Sequence, residues 1–223
     1  MRLEEAEEIA KIIRGLDLPA GTKCLNLGSS TRAFREIDQP HIHTRLLKPL
    51  EECGIRFVHC DMKADEGVDL VGDALEGAFQ DRLAAEQAQL LLCCNMLEHL
   101  TDRRAFVGAF DRFLPPGGYA VVSVPNSYPF HPDPIDNLFR HTPAEIAALF
   151  PSWRMVSGQI IRSSNFLGDL AKLPSPLSSS LKYLFRLFSP WYRPAHWKPL
   201  AHRSLWLFRA YKVSIAVLQK PQT

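Results

Sequence analysis

The sequence predicts an α/β protein whose core is a doubly wound, mostly parallel sheet of seven strands. Helical and strand-like segments alternate along the chain, and this alternation favours parallel strands joined by helices. Several short apolar segments end directly before a glycine or a polar residue, as strands do where such a sheet meets a ligand. The last two predicted strands are about fifty residues apart, too far for an ordinary connection, so we expect a C-terminal helical insertion between them.

Each element follows from the hydrophobic period and the turn residues. Ile9, Ile12, Ile13 and Leu16 recur at helical spacing, and Pro19 ends this first helix. The predicted strands cover residues 23–27, 56–60, 68–71, 89–94, 119–124, 153–161 and 211–218. Helices are predicted at 41–52, 75–88 and 101–114, and another begins at Thr142, where Thr-Pro-Ala-Glu forms a capping box with proline in the first turn.

Composition indicates an ordinary globular chain. The 223 residues are 46% hydrophobic and 22% charged, which is enough to bury one core, and we expect a single domain over 1–223. The five cysteines are odd in number and have no CxxC spacing, so we expect buried thiols and a cytoplasmic location. The acidic, helical N-terminus does not resemble a signal peptide, and no apolar run is long enough for a membrane span.

Charge is distributed unevenly along the chain. No acidic residue follows Asp169, whereas nine lysines and arginines do. Because the net charge is +2, residues 1–169 carry +2 minus 9, or −7. The two parts of the chain are therefore expected to face different partners.

Polar residues and a glycine stand where four of the predicted strands end. These residues are Gly28, Asp61, Asp73 and Asn95. In a doubly wound sheet, ligands bind beyond the carboxyl ends of the strands. A glycine lets the backbone approach a ligand, an acid after the second strand can accept two ribose hydroxyl hydrogen bonds, and a polar group after the third can recognise an adenine amino group. The pattern predicts an adenosine-containing cofactor.

Four segments in this order resemble the class I S-adenosylmethionine-dependent methyltransferases, especially small bacterial ones. They are CLNLGSS, FVHCDM with VDLVGDAL, LLLCCNMLEHL and FLPPGGYAVVSVP. The resemblance covers roughly residues 23–150 and implies a Rossmann-like methyltransferase fold, methyl transfer and S-adenosyl-L-methionine as cofactor. The chain departs from the family pattern at Asn26, where an acid is usual, and at Ser29-Ser30, which replaces the second glycine.

The resemblance also implies roles for individual residues. Asn26, Gly28 and Ser29 would line the methionine part of the cofactor, and Asp61 would hold its ribose. Asp73 and Ala74 would contact adenine, while Asn95 and Met96 would flank the sulfonium. The full set of implied cofactor-binding residues is Asn26, Leu27, Gly28, Ser29, Ser30, Asp61, Met62, Asp73, Ala74, Leu75, Asn95 and Met96.

Candidate catalytic residues follow the fourth and fifth strands. They are His99, His131, Asp136 and Arg140, and Asp133 and His141 in the same polar segment are further candidates to face the substrate. Either His99 or His131 would act as the base that removes a proton from the acceptor. In the alternative interpretation, Asp136 and Arg140 only pair across a tight loop, and Glu98 only braces the cofactor loop.

The insertion, residues 162–203, is predicted to select the substrate. Leu177, Leu181, Leu184, Phe185 and Phe188 form an apolar helical stripe flanked by Lys182 and Arg186. This segment is either a lid whose stripe packs on the sheet, or, through residues 176–203, a peripheral contact with an anionic membrane. The expected acceptor is a small molecule, a glycan or a lipid-linked compound, with a hydroxyl favoured as the methylated group.

Other classes are disfavoured by missing motifs. A nicotinamide dehydrogenase would need GxGxxG after the first strand, and the chain lacks it. Nucleic acid is disfavoured because residues 1–169 are acidic and contain no recognisable RNA-binding module. His41, His43, His59 and Cys60 match no common metal site, so no metal is predicted. The remaining alternative is a catalytically inactive, methyltransferase-like binding or scaffold protein.

Overall fold

Seven strands form one sheet in a computed structural model that describes residues 1–131, 135–192 and 194–222. The strands are β1 (Lys23–Leu27), β2 (Arg56–Asp61), β3 (Leu70–Val71), β4 (Leu90–Cys94), β5 (Tyr119–Ser127), β6 (Arg154–Arg162) and β7 (Lys212–Gln219). Their order in the sheet is β3-β2-β1-β4-β5-β7-β6. Strands β1 to β5 are parallel, and β7 runs antiparallel between β5 and β6. The predicted doubly wound, mostly parallel sheet is confirmed.

Helices connect these strands. They are α1 (Leu3–Arg14), α2 (Pro40–Ile42), α3 (Lys48–Glu51), α4 (Gly77–Ala85), α5 (Arg103–Gly108), α6 (Phe110–Phe113), α7 (Pro143–Ala147), α8 (Phe166–Ala171), α9 (Pro176–Phe188) and α10 (Pro194–Ser204). Thr142 caps α7 as predicted, since its hydroxyl accepts a hydrogen bond from the Glu145 N–H. The predicted insertion is present as α8 to α10, between β6 and β7.

Three predicted helices differ from the observed ones. The predicted helix at 101–114 is broken after Gly108, a residue type that weakens helices. The predicted helix at 75–88 is shorter and ends at Ala85. The predicted helix at 41–52 is part of a longer run that begins at Phe34 and contains two π-helical turns, Phe34–Asp38 and His43–Leu47. Each proline in this run lies in the first turn of a new segment, where its missing N–H is not needed.

The central parallel strands β1, β4 and β5 are buried on both faces, whereas the edge strand β6 is largely exposed. Along β4, Leu91 and Cys93 belong to the cluster that packs against α4 to α7, whereas Leu90 and Leu92 belong to the cluster beneath α1 and α3. This two-sided burial leaves the carboxyl ends of β1, β2 and β4 as the place where polar side chains gather.

The insertion has a small apolar cluster of its own. Phe166, Leu170, Tyr183 and Trp206 pack together with Tyr211. The stripe on α9 does not pack on the sheet, since its side chains are exposed by 76%, 58%, 44%, 60% and 73% at Leu177, Leu181, Leu184, Phe185 and Phe188. The expected packing was therefore wrong, while a lid or substrate role for residues 162–203 remains a prediction. Burial of Tyr183 on the other side turns the stripe outward. Within the described residues, no helix combines the length and the hydropathy that a membrane crossing requires.

Candidate active site

A cavity of about 690 Å³ opens at the carboxyl ends of β1, β2 and β4. This volume is within the range of about 300–1,000 Å³ typical of small-ligand sites. Nine predicted site residues line it, and they are Asn26, Leu27, Gly28, Ser29, Ser30, Asp61, Asn95, His99 and His131. The other predicted cofactor residues, Met62, Asp73, Ala74, Leu75 and Met96, lie beyond this lining. The strand ends thus meet around one cavity, as the sequence predicted.

The loop after β1 has a fixed backbone. Gly28 has φ +68°, a conformation that favours glycine, and a Cβ at this position would lie 2.9 Å from the Met96 sulfur, so a larger residue would require Met96 to move. Ser30 adopts the left-handed region as well, at φ +55°. The Arg35 guanidinium donates hydrogen bonds to the carbonyl oxygens of Ser29 at 3.1 Å and Ser30 at 2.5 Å. Arg35 therefore fixes the Ser29-Ser30 loop, in which serine replaces the second glycine of the family pattern. The sequence analysis did not predict this role for Arg35.

Asp61 projects from the end of β2 into the cavity. Its Oδ2 accepts a hydrogen bond from the Ser30 N–H at 2.7 Å, and its Oδ1 accepts one from the Lys63 N–H at 3.0 Å. A carboxylate has about four acceptor positions, so both oxygens can accept a further hydrogen bond. The arrangement fits a ribose diol.

Asn26 and His59 form a polar pair between β1 and β2. The Asn26 Nδ2 and the His59 Nδ1 are 3.1 Å apart. Burial, together with the nearby charge of Arg35, lowers the pKa of His59 to about 4. His59 is therefore neutral at pH 7 and accepts a hydrogen bond from the amide that replaces the family's usual acid.

Glu5 of α1 is a site residue that the sequence analysis missed. It is 1% exposed, and its Oε1 accepts hydrogen bonds from the Asn95 Nδ2 at 2.8 Å and the Ser123 Oγ at 2.6 Å. Met1, Arg2 and Glu5 line the cavity, so α1 forms one of its walls. The sequence feature that could have predicted this role is the position of Glu5 four residues before Ile9, because that spacing places both residues on the apolar face of the helix.

Asp136 and Arg140 form a buried ion pair beside His131. The Arg140 guanidinium contacts the two carboxylate oxygens at 2.5 and 3.1 Å. Burial opposes ionisation of Asp136, but its hydrogen bonds from Arg140 and from backbone N–H groups outweigh burial and lower its pKa. The pair does not line the cavity and instead positions His131, whose Nδ1 is 3.1 Å from Asp136 Oδ2.

The two candidate bases lie next to each other. The rings of His99 and His131 are edge to face with centroids 5.5 Å apart, although the residues are 32 positions apart in the chain. Burial lowers the pKa of His131. His141 instead stacks on Phe139 at 3.8 Å. Asp133 lies outside the described residues.

Glu98 is a second buried acid that needs an explanation. It is 0% exposed, and neither carboxylate oxygen has a hydrogen-bond partner among the described residues. Burial raises the pKa of Glu98 to about 8. The His99 Nε2 is 3.9 Å from its Oε1.

Asp73, Ala74 and Leu75 follow β3 at the edge of the sheet. The Asp73 Oδ1 accepts a hydrogen bond from the Leu75 N–H at 2.9 Å, which closes a tight turn. Met62 and Leu75 are 68% and 44% exposed. The contacts of Asp73 and Ala74 with adenine, and the cofactor-binding roles of Met62 and Leu75, remain predictions.

The sheet order and the cavity at the strand ends define the class I S-adenosylmethionine-dependent methyltransferase fold. Solved structures share it across nearly the whole chain. A putative sarcosine dimethylglycine methyltransferase from Galdieria sulphuraria is 14% identical, with a TM-score of 0.59, over 99% of this chain and 86% of that one. A methyltransferase from Archaeoglobus fulgidus is 16% identical, with a TM-score of 0.53, over 96% and 94% of the two chains.

A third structure, coclaurine N-methyltransferase bound to N-methylheliamine and S-adenosylhomocysteine, is 13% identical. Its TM-score is 0.58 over 99% of this chain and 74% of that chain. No protein-family model matches the sequence, and no curated protein matches it. The predicted methyltransferase fold is thus confirmed at the level of structure.

Proposed function

We propose that this protein transfers the methyl group of S-adenosylmethionine to a small-molecule, glycan or lipid-linked acceptor, with a hydroxyl as the methylated group. The observation that carries the proposal is the single cavity that joins Gly28 and Asp61 to His99 and His131. One end has the groups that suit a nucleoside, and the other end has two imidazoles. A cofactor and an acceptor could therefore meet inside it.

The chain's own residues would bind and orient the reactants. Asp61 would accept hydrogen bonds from the ribose hydroxyls, and the loop at Gly28 and Ser29 would hold the methionine portion. When bound, S-adenosylmethionine supplies a methyl group that its sulfonium has already made electrophilic. What remains for the protein is alignment, exclusion of water and removal of the acceptor's proton.

His99 and His131 have the tautomer that a base needs. The Nδ1 of His99 contacts the Ile135 carbonyl oxygen, and the Nδ1 of His131 is 3.3 Å from the Pro129 carbonyl oxygen. Because a carbonyl only accepts hydrogen bonds, each Nδ1 carries the proton, and each Nε2 keeps a lone pair. Either Nε2 could take the hydroxyl proton as the new carbon–oxygen bond forms.

Calorimetric titration with S-adenosylmethionine and S-adenosylhomocysteine tests the cofactor site. We expect micromolar binding to the native chain and its loss in Asp61→Ala, because the ribose diol loses its acceptor. Asp81→Ala is the matched control, since Asp81 is 71% exposed and pairs only with Arg112 among the described residues. Absence of binding to the native chain would favour the inactive binding or scaffold protein.

We further propose that α9 rests on an anionic membrane and brings an amphiphilic acceptor to the cavity. Its five exposed apolar side chains are flanked by Lys182 and Arg186, and no acidic residue follows Asp169. A basic amphipathic helix of this kind binds anionic lipid surfaces. The insertion also lies next to the cavity, because the N–H of Phe130, which precedes His131, donates a hydrogen bond to the Nε2 of His202 in α10 at 3.5 Å.

Vesicle sedimentation tests the membrane contact. We expect binding to vesicles rich in phosphatidylglycerol, weaker binding at high salt, and little binding to pure phosphatidylcholine. Leu181→Glu with Phe188→Glu should abolish it, whereas Ile37→Glu should not, although Ile37 is 75% exposed. Equal binding by the double variant would contradict the membrane role and favour a lid.

A further inference from the structure

A buried carboxylate and two imidazoles converge at the acceptor end of the cavity. The donor atoms of Glu98, His99 and His131 all lie within 4.8 Å of one another. Ligands spread around one metal ion at about 2.0–2.2 Å are about 3.0–3.6 Å apart, so side-chain shifts of up to about 1 Å would place the three around one ion. The three residues come from two loops, 97–99 and 128–131, which explains why the sequence analysis, which considered other histidines, predicted no metal.

Glu98 is the observation that points to a ligand. It is fully buried, yet both of its carboxylate oxygens have no hydrogen-bond partner among the described residues. A buried carboxyl group without a hydrogen-bond partner is costly in either protonation state, and buried acids are normally paired or coordinate a metal. A bound cation would satisfy it.

Both imidazoles are held as metal ligands are. Metal-bound histidines usually donate the other ring N–H to a carbonyl or a carboxylate, which fixes the tautomer and the ring orientation. His99 Nδ1 contacts the Ile135 carbonyl oxygen, and His131 Nδ1 is 3.1 Å from Asp136 Oδ2. Arg140 in turn fixes Asp136 through two contacts. Each Nε2 therefore presents its lone pair, and the His99 Nε2 already lies 3.9 Å from Glu98.

We infer that Glu98, His99 and His131 form a binding site for a divalent transition-metal ion, with two nitrogen ligands, one oxygen ligand and open positions that face the cavity. This donor set suits Zn²⁺, Fe²⁺ or Mn²⁺ better than Mg²⁺ or Ca²⁺, which prefer oxygen ligands. The open positions would accept water or an oxygen of the acceptor.

A metal ion at this site would activate the acceptor hydroxyl, a role that rests on the proposed function. A metal ion lowers the pKa of a bound hydroxyl group. The acceptor's O–H bond would break with its proton passing to water, and the oxygen would attack the methyl carbon. The S–CH₃ bond of S-adenosylmethionine would break as the new oxygen–carbon bond forms, and its electron pair would stay on sulfur. With the ion bound, His99 and His131 would act as its ligands instead of as bases. Asp136 and Arg140 would act as positioning residues for His131.

Titration of the tag-free, chelator-treated protein with Co²⁺ and Zn²⁺ tests the site without any cofactor. We expect one ion per chain, visible absorption bands from bound Co²⁺, and displacement of Co²⁺ by Zn²⁺. Glu98→Gln and His99→Gln should weaken binding at least about 100-fold, and Asp136→Asn about 10- to 100-fold, as changes around a ligand typically do. His43→Gln is the matched control, because His43 is no part of the cluster.

Two results would overturn the inference. One is a native chain that binds neither ion, and the other is Glu98→Gln binding both ions as tightly as the native chain. Far-ultraviolet circular dichroism and separate calorimetry with S-adenosylhomocysteine would show that each variant is folded. Metal binding without cofactor binding would support the site while contradicting the proposed methyl transfer, so the two failures are distinguishable.

Discussion

Single residues in this site show how burial sets a protonation state. His59 is part of β2 and has a pKa of about 4, below its ordinary value, because burial disfavours the imidazolium. A folded-state pKa below the unfolded one means that the unfolded chain binds the proton first as the pH falls. The contribution of His59 to the free energy of unfolding is therefore fully present above about pH 6.5 and is lost as the pH falls from about 6.5 to about 4.

We expect His59→Gln to flatten this pH dependence. The glutamine does not titrate, so a slope of at most about 1.4 kcal/mol per pH unit in the free energy of unfolding should disappear between pH 6 and 4. Urea denaturation at each pH measures it, with His43→Gln as the control. A slope that is unchanged in His59→Gln would mean that other groups dominate acid unfolding.

His131 tests the catalytic end at the same scale. Whether it acts as a base or as a metal ligand, His131→Ala should lower turnover by about 10²-fold or more and leave S-adenosylmethionine affinity nearly unchanged. The reason is that His131 is proposed to act on the acceptor, whereas Asp61 is proposed to hold the cofactor's ribose. Product formation with a methylated acceptor and calorimetry with the cofactor separate the two effects. Equal turnover in the variant would remove His131 from the mechanism.

Among the elements, α1 does more than cover the sheet. Its buried Glu5 accepts hydrogen bonds from Asn95 and Ser123, while Met1 and Arg2 line the cavity. Asn95 has φ +51°, a conformation that needs outside support, and Glu5 provides part of it. The N-terminal segment therefore contributes both to the lining of the cavity and to the position of Asn95.

Two substitutions on α1 can separate the effect of the Glu5 hydrogen bonds from the effect of alanine on helix propensity. Glu5→Ala should lower the free energy of unfolding by about 2–4 kcal/mol, because it leaves buried donors without an acceptor. Glu7→Ala makes the same chemical change at an exposed position on the same helix and should cost no more than about 0.5 kcal/mol. Urea denaturation measures both. Similar costs for the two variants would show that the Glu5 hydrogen bonds contribute little.

At the scale of the whole molecule, the insertion is attached at two adjacent points. The Ser163 N–H donates to the Tyr211 carbonyl, and the Tyr211 N–H donates to the Ser164 carbonyl, each at 2.9 Å. Most of its apolar contacts are internal. The insertion is thus joined to the rest of the chain through β6 and β7, with further contacts at the Arg2–Asp169 pair and at Phe130–His202.

We expect that residues 165–210 can be replaced by Asn-Gly, a sequence suited to a two-residue turn between antiparallel strands. The shortened chain should unfold cooperatively and still bind S-adenosylmethionine, because its sheet and Asp61 are intact. It should not bind anionic vesicles. Circular dichroism, calorimetry and sedimentation check the three outcomes. A chain that fails to unfold cooperatively would show that the insertion is part of the core.

Much of the fold could be predicted because periodicity is local. The apolar strand at Leu90–Cys94 and the capping box at Thr142 depend only on neighbouring residues, and both were predicted within one residue. The helix at 101–114 was predicted without its break, because a single glycine is only a weak signal against a strong apolar period. Whether the α9 stripe packs on the sheet or faces outward was left open, because its direction depends on where Tyr183 is buried.

The sequence by itself determined the α/β class, the seven strands and the positions of Gly28, Asp61 and Asn95 at strand ends, since strand period and turn chemistry are written in adjacent residues. Only the tertiary structure decided that Glu5 enters the site, that Glu98 meets His99 and His131, and that the stripe on α9 faces outward. These are contacts between segments far apart in the chain, and burial of a charged group depends on what packs around it. The spacing of residues along one segment does not specify which distant residues will pack around it.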